Sequence, residues 1–142
     1  MPATYARILI VDDHAVVRQG VRSILESNAQ WQICGEAKNG REAVELAKKL
    51  HPDAIVMDVT MPVKSGLVAA HEISQLQPEC KVLLFTMHES KTLADFAQQS
   101  GARGVLVKTR APHDLVEALE CVLAGGTFFR TSAGAAKLTH RR

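Results

Sequence analysis

Five short apolar runs, separated by longer stretches of helical period, constrain this chain more than any other feature. The runs are Ile8-Leu9-Ile10-Val11, Gln32-Ile33-Cys34-Gly35, Ala54-Ile55-Val56-Met57, Val82-Leu83-Leu84-Phe85 and Val105-Leu106-Val107. Most are continuous rather than alternating, the pattern of strands buried on both faces of a parallel sheet. Between them, Val17, Val21, Ile24 and Leu25 share one face of a first helix, and Ala43, Leu46, Ala47 and Leu50 one face of a second. Leu67, Ala70, Ile73 and Leu76 do so in a third, and Leu115, Ala118, Leu119 and Val122 in the last. Ser90 to Ser100 predicts a shorter helix, and Pro52, Pro78 and Pro112 mark helix boundaries. The alternation is that of an α/β chain, (βα)5, with right-handed crossovers and helices on both faces of one parallel sheet.

A length of 142 residues suits one core. Aromatics make up only 4%, so that core is built from Ile, Leu, Val and Ala. The net charge of +2 is too small to argue for nucleic acid by itself. No apolar run approaches the roughly 20 residues that span a bilayer, and the N-terminal residues carry no signal-peptide pattern. Cys34, Cys80 and Cys121 are odd in number and widely spaced, which fits a reducing compartment and buried thiols, with Cys34 and Cys121 as core residues. Cytoplasm is the expected location. From Gly125 the pattern weakens into a turn and short extension, and Ser132 to Arg142 reads as a linker or a last helix.

The chemistry sits where the runs stop. The first ends in Asp12-Asp13, the third in Asp58, the fourth in Thr86 and the fifth in Lys108. Open α/β sheets form their sites at the carboxyl ends of the strands, at the topological switch point. The doubly wound, flavodoxin-like order 2-1-3-4-5 sets strands 1 and 3 side by side there, so three carboxylates converge. Thr86 and Lys108 approach from the neighbouring strands, while the second strand, ending in Glu36-Ala37, need contribute nothing. Three close carboxylates raise each other's pKa unless neutralised. Mg2+, a hard cation that takes oxygen ligands, neutralises them, and Lys108 adds a mobile positive charge. One oxygen of Asp58 then remains free as a nucleophile toward a phosphoryl group.

Each residue alone has an ordinary reading. An Asp pair after a strand commonly caps the next helix. Asp58 fits a turn before Met61-Pro62, Thr86 fits a β-branched strand position, and Lys108 fits a solvated lysine. The functional reading rests on four runs of one kind ending in matching chemistry. Six histidines offer no pair with metal-ligand spacing within one element; His14 and His88 follow strand ends and could line the rim, although surface positions are the more ordinary reading. No dinucleotide or P-loop motif and no nucleophile elbow is present.

These segments resemble the receiver domain of two-component response regulators. The matching stretches are Ile8 to His14, Asp58-Val59-Thr60-Met61-Pro62 with Gly66, Leu84-Phe85-Thr86, and Gly101 to Lys108. Val16-Val17-Arg18-Gln19-Gly20 after Asp12-Asp13-His14, and Ala124-Gly125-Gly126-Thr127-Phe128-Phe129 after the last helix, are similar to the NarL/LuxR type. The resemblance implies that Asp58 accepts a phosphoryl group from a sensor histidine kinase. It also implies that Asp12, Asp13, Asp58 and the backbone carbonyl of Thr60 bind Mg2+ (or Mn2+), and that Thr86 and Lys108 contact the phosphoryl group. The chain would be a phosphoacceptor switch rather than an enzyme with external substrates. Its fourth helix, fifth strand and fifth helix would form the switching surface. Residues 1–126 are then a receiver domain, and 127–142 begin a linker to a DNA-binding domain outside this chain. Homodimerisation is compatible with the resemblance, and no membrane contact is implied. The sequence departs from the family at Val105, where an aromatic residue is usual, at Met87, where a small one is common, and at Thr109, where many receivers have proline. Two other readings stay open: an interaction module that works without phosphate, and a phosphatase of the haloacid dehalogenase kind. The second lacks its usual second Asp, since Thr60 stands there.

Overall fold

The computed structural model describes residues 5–88, 90–130 and 136–139. The elements run β1 (Ala6–Val11), α1 (Ala15–Glu26), β2 (Trp31–Ala37), α2 (Gly40–Leu50), β3 (Ala54–Asp58), α3 (Gly66–Leu76), β4 (Lys81–Thr86), α4 (Lys91–Gln99), β5 (Gly104–Val107), a 3-10 turn (Lys108–Arg110), α5 (Ala111–Leu123), β6 (Thr127–Arg130) and β7 (Ala136–Thr139). The sheet order is β2-β1-β3-β4-β5-β6-β7, parallel through β6, with β7 antiparallel at the edge. The first five strands take the expected 2-1-3-4-5 order.

Alternate residues of each strand feed two cores. Ile8, Ile10, Val56, Leu83, Phe85 and Leu106 pack with Val21 and Leu25 of α1 and Leu115 and Leu119 of α5. Leu9, Val11, Ile55, Met57, Leu84 and Val105 pack with Ala43 and Ala47 of α2, Ala70 and Ile73 of α3, and Ala97 of α4. This double burial is why the runs read as unbroken apolar stretches. Three helices start on side-chain caps. Asn39, Ser65 and Ser90 accept from the N–H groups of Glu42, Val68 and Leu93.

Several details differ from the sequence reading. Cys34 is half-buried rather than a core residue, because it is the extra residue of a bulge: Ile8 pairs with Ile33 and Leu9 with Gly35. Cys121 is buried as expected. Leu76 is exposed, because α3 ends there and the buried Gln77 side chain takes the inward place, donating to the Ala47 carbonyl at 2.8 Å. The turn after α5 leads into β6, whose Phe128 and Phe129 are both buried. Within 132–142, residues 136–139 are strand rather than helix; the remainder of that linker-or-helix expectation lies outside the described residues. The Lys108–Thr109 bond is trans. No helix among the described residues is long and apolar enough to cross a membrane.

Candidate functional site

β1 and β3 are neighbours, with Val11 opposite Met57, so the residues that follow each strand emerge side by side. One donor atom from each of Asp12, Asp13, His14 and Asp58 lies within 4.8 Å of the others. Asp12 and Asp58 are buried, at 1% and 4% exposure. The Lys108 ammonium reaches in from the end of β5, 2.9 Å from Asp12 Oδ2 and 3.2 Å from Asp58 Oδ1, with its side chain 12% exposed. It is therefore not a solvated surface lysine.

The ordinary readings of the acidic residues do not account for this geometry. The N-cap of α1 is His14, and no side chain caps that helix. Asp12 Oδ1 instead accepts from the His14 N–H at 2.9 Å. The Thr60 N–H is 3.4 Å from Asp58 Oδ1, too long for a strong turn bond. The loop after Asp58 is stapled elsewhere: Val59 N–H donates to the Phe85 carbonyl at 2.9 Å, and Gly66 N–H to the Val59 carbonyl at 2.8 Å. A β-carbon on Gly66 would lie 2.1 Å from the Asp58 carbonyl oxygen, so α3 starts hard against the Asp58 backbone.

Burial raises the Asp58 pKa, and the Asp12 charge adds to the rise; Lys108 offsets part of it. Burial acts to lower the Lys108 pKa, but its bonds and charges with Asp12 and Asp58 outweigh it, and the net shift is upward. The cluster holds three carboxylates against one ammonium, an excess of negative charge that suits a divalent cation. Asp12 Oδ2 and Asp13 Oδ1 are also sealed from solvent; among the described residues the first faces the Lys108 ammonium at 2.9 Å and the second the His14 ring at 3.2 Å, and neither has a further hydrogen-bond donor. Oxygen donors with unmet demand fit a hard cation such as Mg2+.

Thr86 ends β4 beside Val107 of β5. Its hydroxyl donates to the His88 carbonyl at 3.1 Å and accepts from the His88 N–H at 3.3 Å, so it is engaged with its own loop. Met87 is 57% exposed rather than packed down, and Val105 is buried at 3%, opposite Phe129 of β6.

Sequence reasoning missed Arg18 and Glu36. Arg18 Nη1 donates to the Asp12 carbonyl at 2.7 Å and Nε to Glu36 Oε1 at 3.0 Å. Arg22 donates to Glu36 Oε2 at 2.9 and 2.6 Å. The end of β2 thus anchors the acidic loop through α1. The available signal was the 18, 22 spacing of two arginines on one helix face; the partner on β2 is visible only once strands 1 and 2 pair.

Residues 8–120 match the family described as the response regulator receiver domain. The chain is 34% identical over 134 residues to the transcriptional regulatory protein DegU of Brevibacillus brevis, covering 94% of this chain and 55% of DegU. It is 40% identical over 116 residues to the chemotaxis protein CheY of Thermotoga maritima, covering 82% of this chain and 96% of CheY. The crystal structure of a LuxR-family two-component response regulator from Aurantimonas sp. SI85-9A1 superposes with a TM-score of 0.82 at 38% identity, covering 90% of this chain and 89% of that one. The chain spans about half the length of curated transcriptional regulators such as DegU.

Proposed function

The chain belongs to the response regulator receiver domain family, and from that premise we propose that Asp58 is a phosphoryl acceptor. One Asp58 oxygen attacks the phosphorus of a phosphohistidine on a sensor histidine kinase. The phosphorus–nitrogen bond breaks, and the imidazole leaves with a proton. Asp12, Asp13, Asp58 and the Thr60 backbone carbonyl would hold Mg2+ (or Mn2+), which supplies positive charge to the phosphoryl oxygens when bound. Lys108 neutralises further charge, and Thr86 donates its hydroxyl to the phosphoryl group after leaving His88. The protein acts as a switch rather than an enzyme on external substrates, working in the cytoplasm.

The observation that carries this reading is the Lys108 ammonium held between Asp12 and Asp58 at 2.9 and 3.2 Å. The ammonium neutralises only part of the charge of three carboxylates, so the cluster keeps the excess negative charge that a divalent cation would need. Phosphorylation adds a dianionic acceptor group that biases the β4–α4 loop and the surface of α4, β5 and α5. Output is transcriptional, through a DNA-binding domain joined after residues 127–142, with homodimerisation as an accompanying step. The test is intact mass after incubation with Mg2+ and acetyl phosphate. One added phosphoryl mass is expected, absent in Asp58→Ala. No addition, or addition that survives the substitution, would sink the proposal and leave the phosphate-independent interaction module as the better reading.

A further inference from the structure

Residues 127–130 read from sequence as the start of a linker, but the structure builds them into the sheet. α5 ends in a paired backbone cap. Gly126 N–H donates to the Cys121 carbonyl at 2.9 Å and Gly125 N–H to the Val122 carbonyl at 3.0 Å, with Gly125 at φ 97°. That cap turns the chain back along β5. Phe128 N–H donates to the Arg103 carbonyl at 2.9 Å, and Gly104 and Val105 pair with Phe128 and Phe129. A β-carbon on Gly104 would lie 2.5 Å from the Phe128 carbonyl oxygen, so β6 sits closer to β5 than a residue with a β-carbon allows.

The two rings of β6 enter different cores. Phe128, fully buried, joins Leu115 and Leu119 of α5. Phe129, 6% exposed, joins Leu84, Val105 and Ala97 of α4. α4 is shallowly held. Among its described residues only Ala97 is buried, Leu93 and Ala94 are half-buried, and Phe96 faces solvent. Leu84, Val105 and Phe129 form one row across β4, β5 and β6. Thr86 stands two residues beyond Leu84 and so lies on the same face of the sheet. Its hydroxyl is bonded within the loop that leads into α4.

Resting on the receiver reading, we propose that Phe129 is the positioning residue through which phosphorylation reaches the chain beyond the domain: it holds α4 at rest, and movement of α4 loosens β6 from β5. When Thr86 turns from His88 to the phosphoryl group, the β4–α4 loop is drawn toward Asp58 and α4 moves with it. The core around Phe129 then opens. β6 is only four residues long, so the lost packing releases it at small cost. The change passes along the backbone to the residues that follow β6. Linkage makes the coupling reciprocal: if phosphorylation weakens β6, weakening β6 favours the phosphorylated form.

The experiment uses the whole chain with Mg2+ and beryllofluoride, a mimic of the phosphoryl group. Hydrogen exchange of the wild-type Phe128 amide, followed by NMR, is expected to speed at least about fivefold when the mimic is added, and to stay unchanged in Asp58→Asn. Phe129→Ala is expected to bind the mimic at least about fivefold more tightly than wild type by calorimetry. Val21→Ala, which thins the core under α1 instead, is expected to bind it as wild type does. A Phe128 amide that is unchanged or slowed overturns the inference without any variant. Unchanged or weaker binding by Phe129→Ala overturns it too, as does an equal gain in Val21→Ala, since the effect would then be one of stability alone. If the wild type takes up no beryllofluoride, or if Asp58→Asn takes it up equally well, the receiver reading falls and this inference with it.

Discussion

Lys108 Nζ lies 2.9 Å from Asp12 Oδ2, although their strands, β5 and β1, are separated by β3 and β4. The lysine crosses the open end of the sheet to reach an aspartate that is almost fully buried. It supplies charge that makes the carboxylate cluster tolerable, and it also occupies directions from which a second cation would approach.

Removing that ammonium should therefore separate metal binding from phosphoryl transfer. Lys108→Met is expected to tighten Mg2+ binding several-fold by calorimetry, because a competing cation is gone. The same variant is expected to slow phosphorylation by acetyl phosphate by about 10²-fold in an intact-mass time course, the cost of losing one preorganised charge at a developing oxyanion. Weaker Mg2+ binding would instead mean that Lys108 shapes the cluster rather than competing within it.

Asp58 should be a source of instability at neutral pH. Burial and Asp12 raise its pKa, so the folded state binds the proton more tightly than the unfolded state does. The sign follows: no penalty exists below the unfolded carboxyl value, and the penalty grows as pH rises through the folded value. Asp58→Asn is expected to melt a few degrees above wild type at pH 7, with the gap closing below about pH 4. Saturating Mg2+ should raise the wild-type Tm and leave the Asp13→Asn Tm where it is, since only the wild type gains binding energy in the folded state.

The sheet was readable from sequence because burial on both faces leaves continuous runs such as Ala54 to Met57, and their alternation with longer stretches of helical period marks them as strands. The convergence of Asp12, Asp13, Asp58 and Lys108 followed from strand order, since each residue sits where its strand stops. What the sequence hid depends on contacts between elements. Glu36 looked idle because its partners, Arg18 and Arg22, lie on another element. The ring of His14 read as a surface side chain because its place after a strand end does not reveal the two carboxylates that stand 3.2 Å from Nδ1. Leu76 was placed inward by helical period alone, and the Gln77 bond to Ala47 decided otherwise.

Two glycine substitutions should have opposite effects. Gly20 lies within α1 with nothing inside 4 Å of an added β-carbon. Gly20→Ala is expected to raise stability by about 0.5–1 kcal/mol through helix propensity. At Gly66 the added carbon meets the Asp58 carbonyl oxygen at 2.1 Å and the Val59 Cα at 3.0 Å, both backbone. Gly66→Ala must push α3 or the Asp58 strand end aside, an overpacking cost of about 1–3 kcal/mol, and Mg2+ affinity should fall with it. Urea unfolding of both variants, with Mg2+ titration of the folded proteins, checks the pair.

The Arg18–Glu36–Arg22 network should separate into a stability part and a site part. The hydrogen bond from Arg22 holds the Glu36 carboxyl below its usual value, with Arg18 adding to it against the effect of burial. A lowered carboxylate contributes stability that is present above the unfolded value and lost as pH falls through the folded one. Glu36→Gln is therefore expected to cost about 1 kcal/mol at pH 7 and nothing near pH 2, read by thermal melts across that range. The two arginines differ in what else they touch. Arg18 alone donates to the Asp12 carbonyl, at 2.7 Å, while Arg22 turns to Glu26. Arg18→Ala should weaken Mg2+ binding several-fold, because the acidic loop loses its anchor, whereas Arg22→Ala should lower stability with Mg2+ affinity unchanged. Equal effects on Mg2+ from both substitutions would mean that the network acts only by holding α1 against β2, and that Asp12 needs no support of its own.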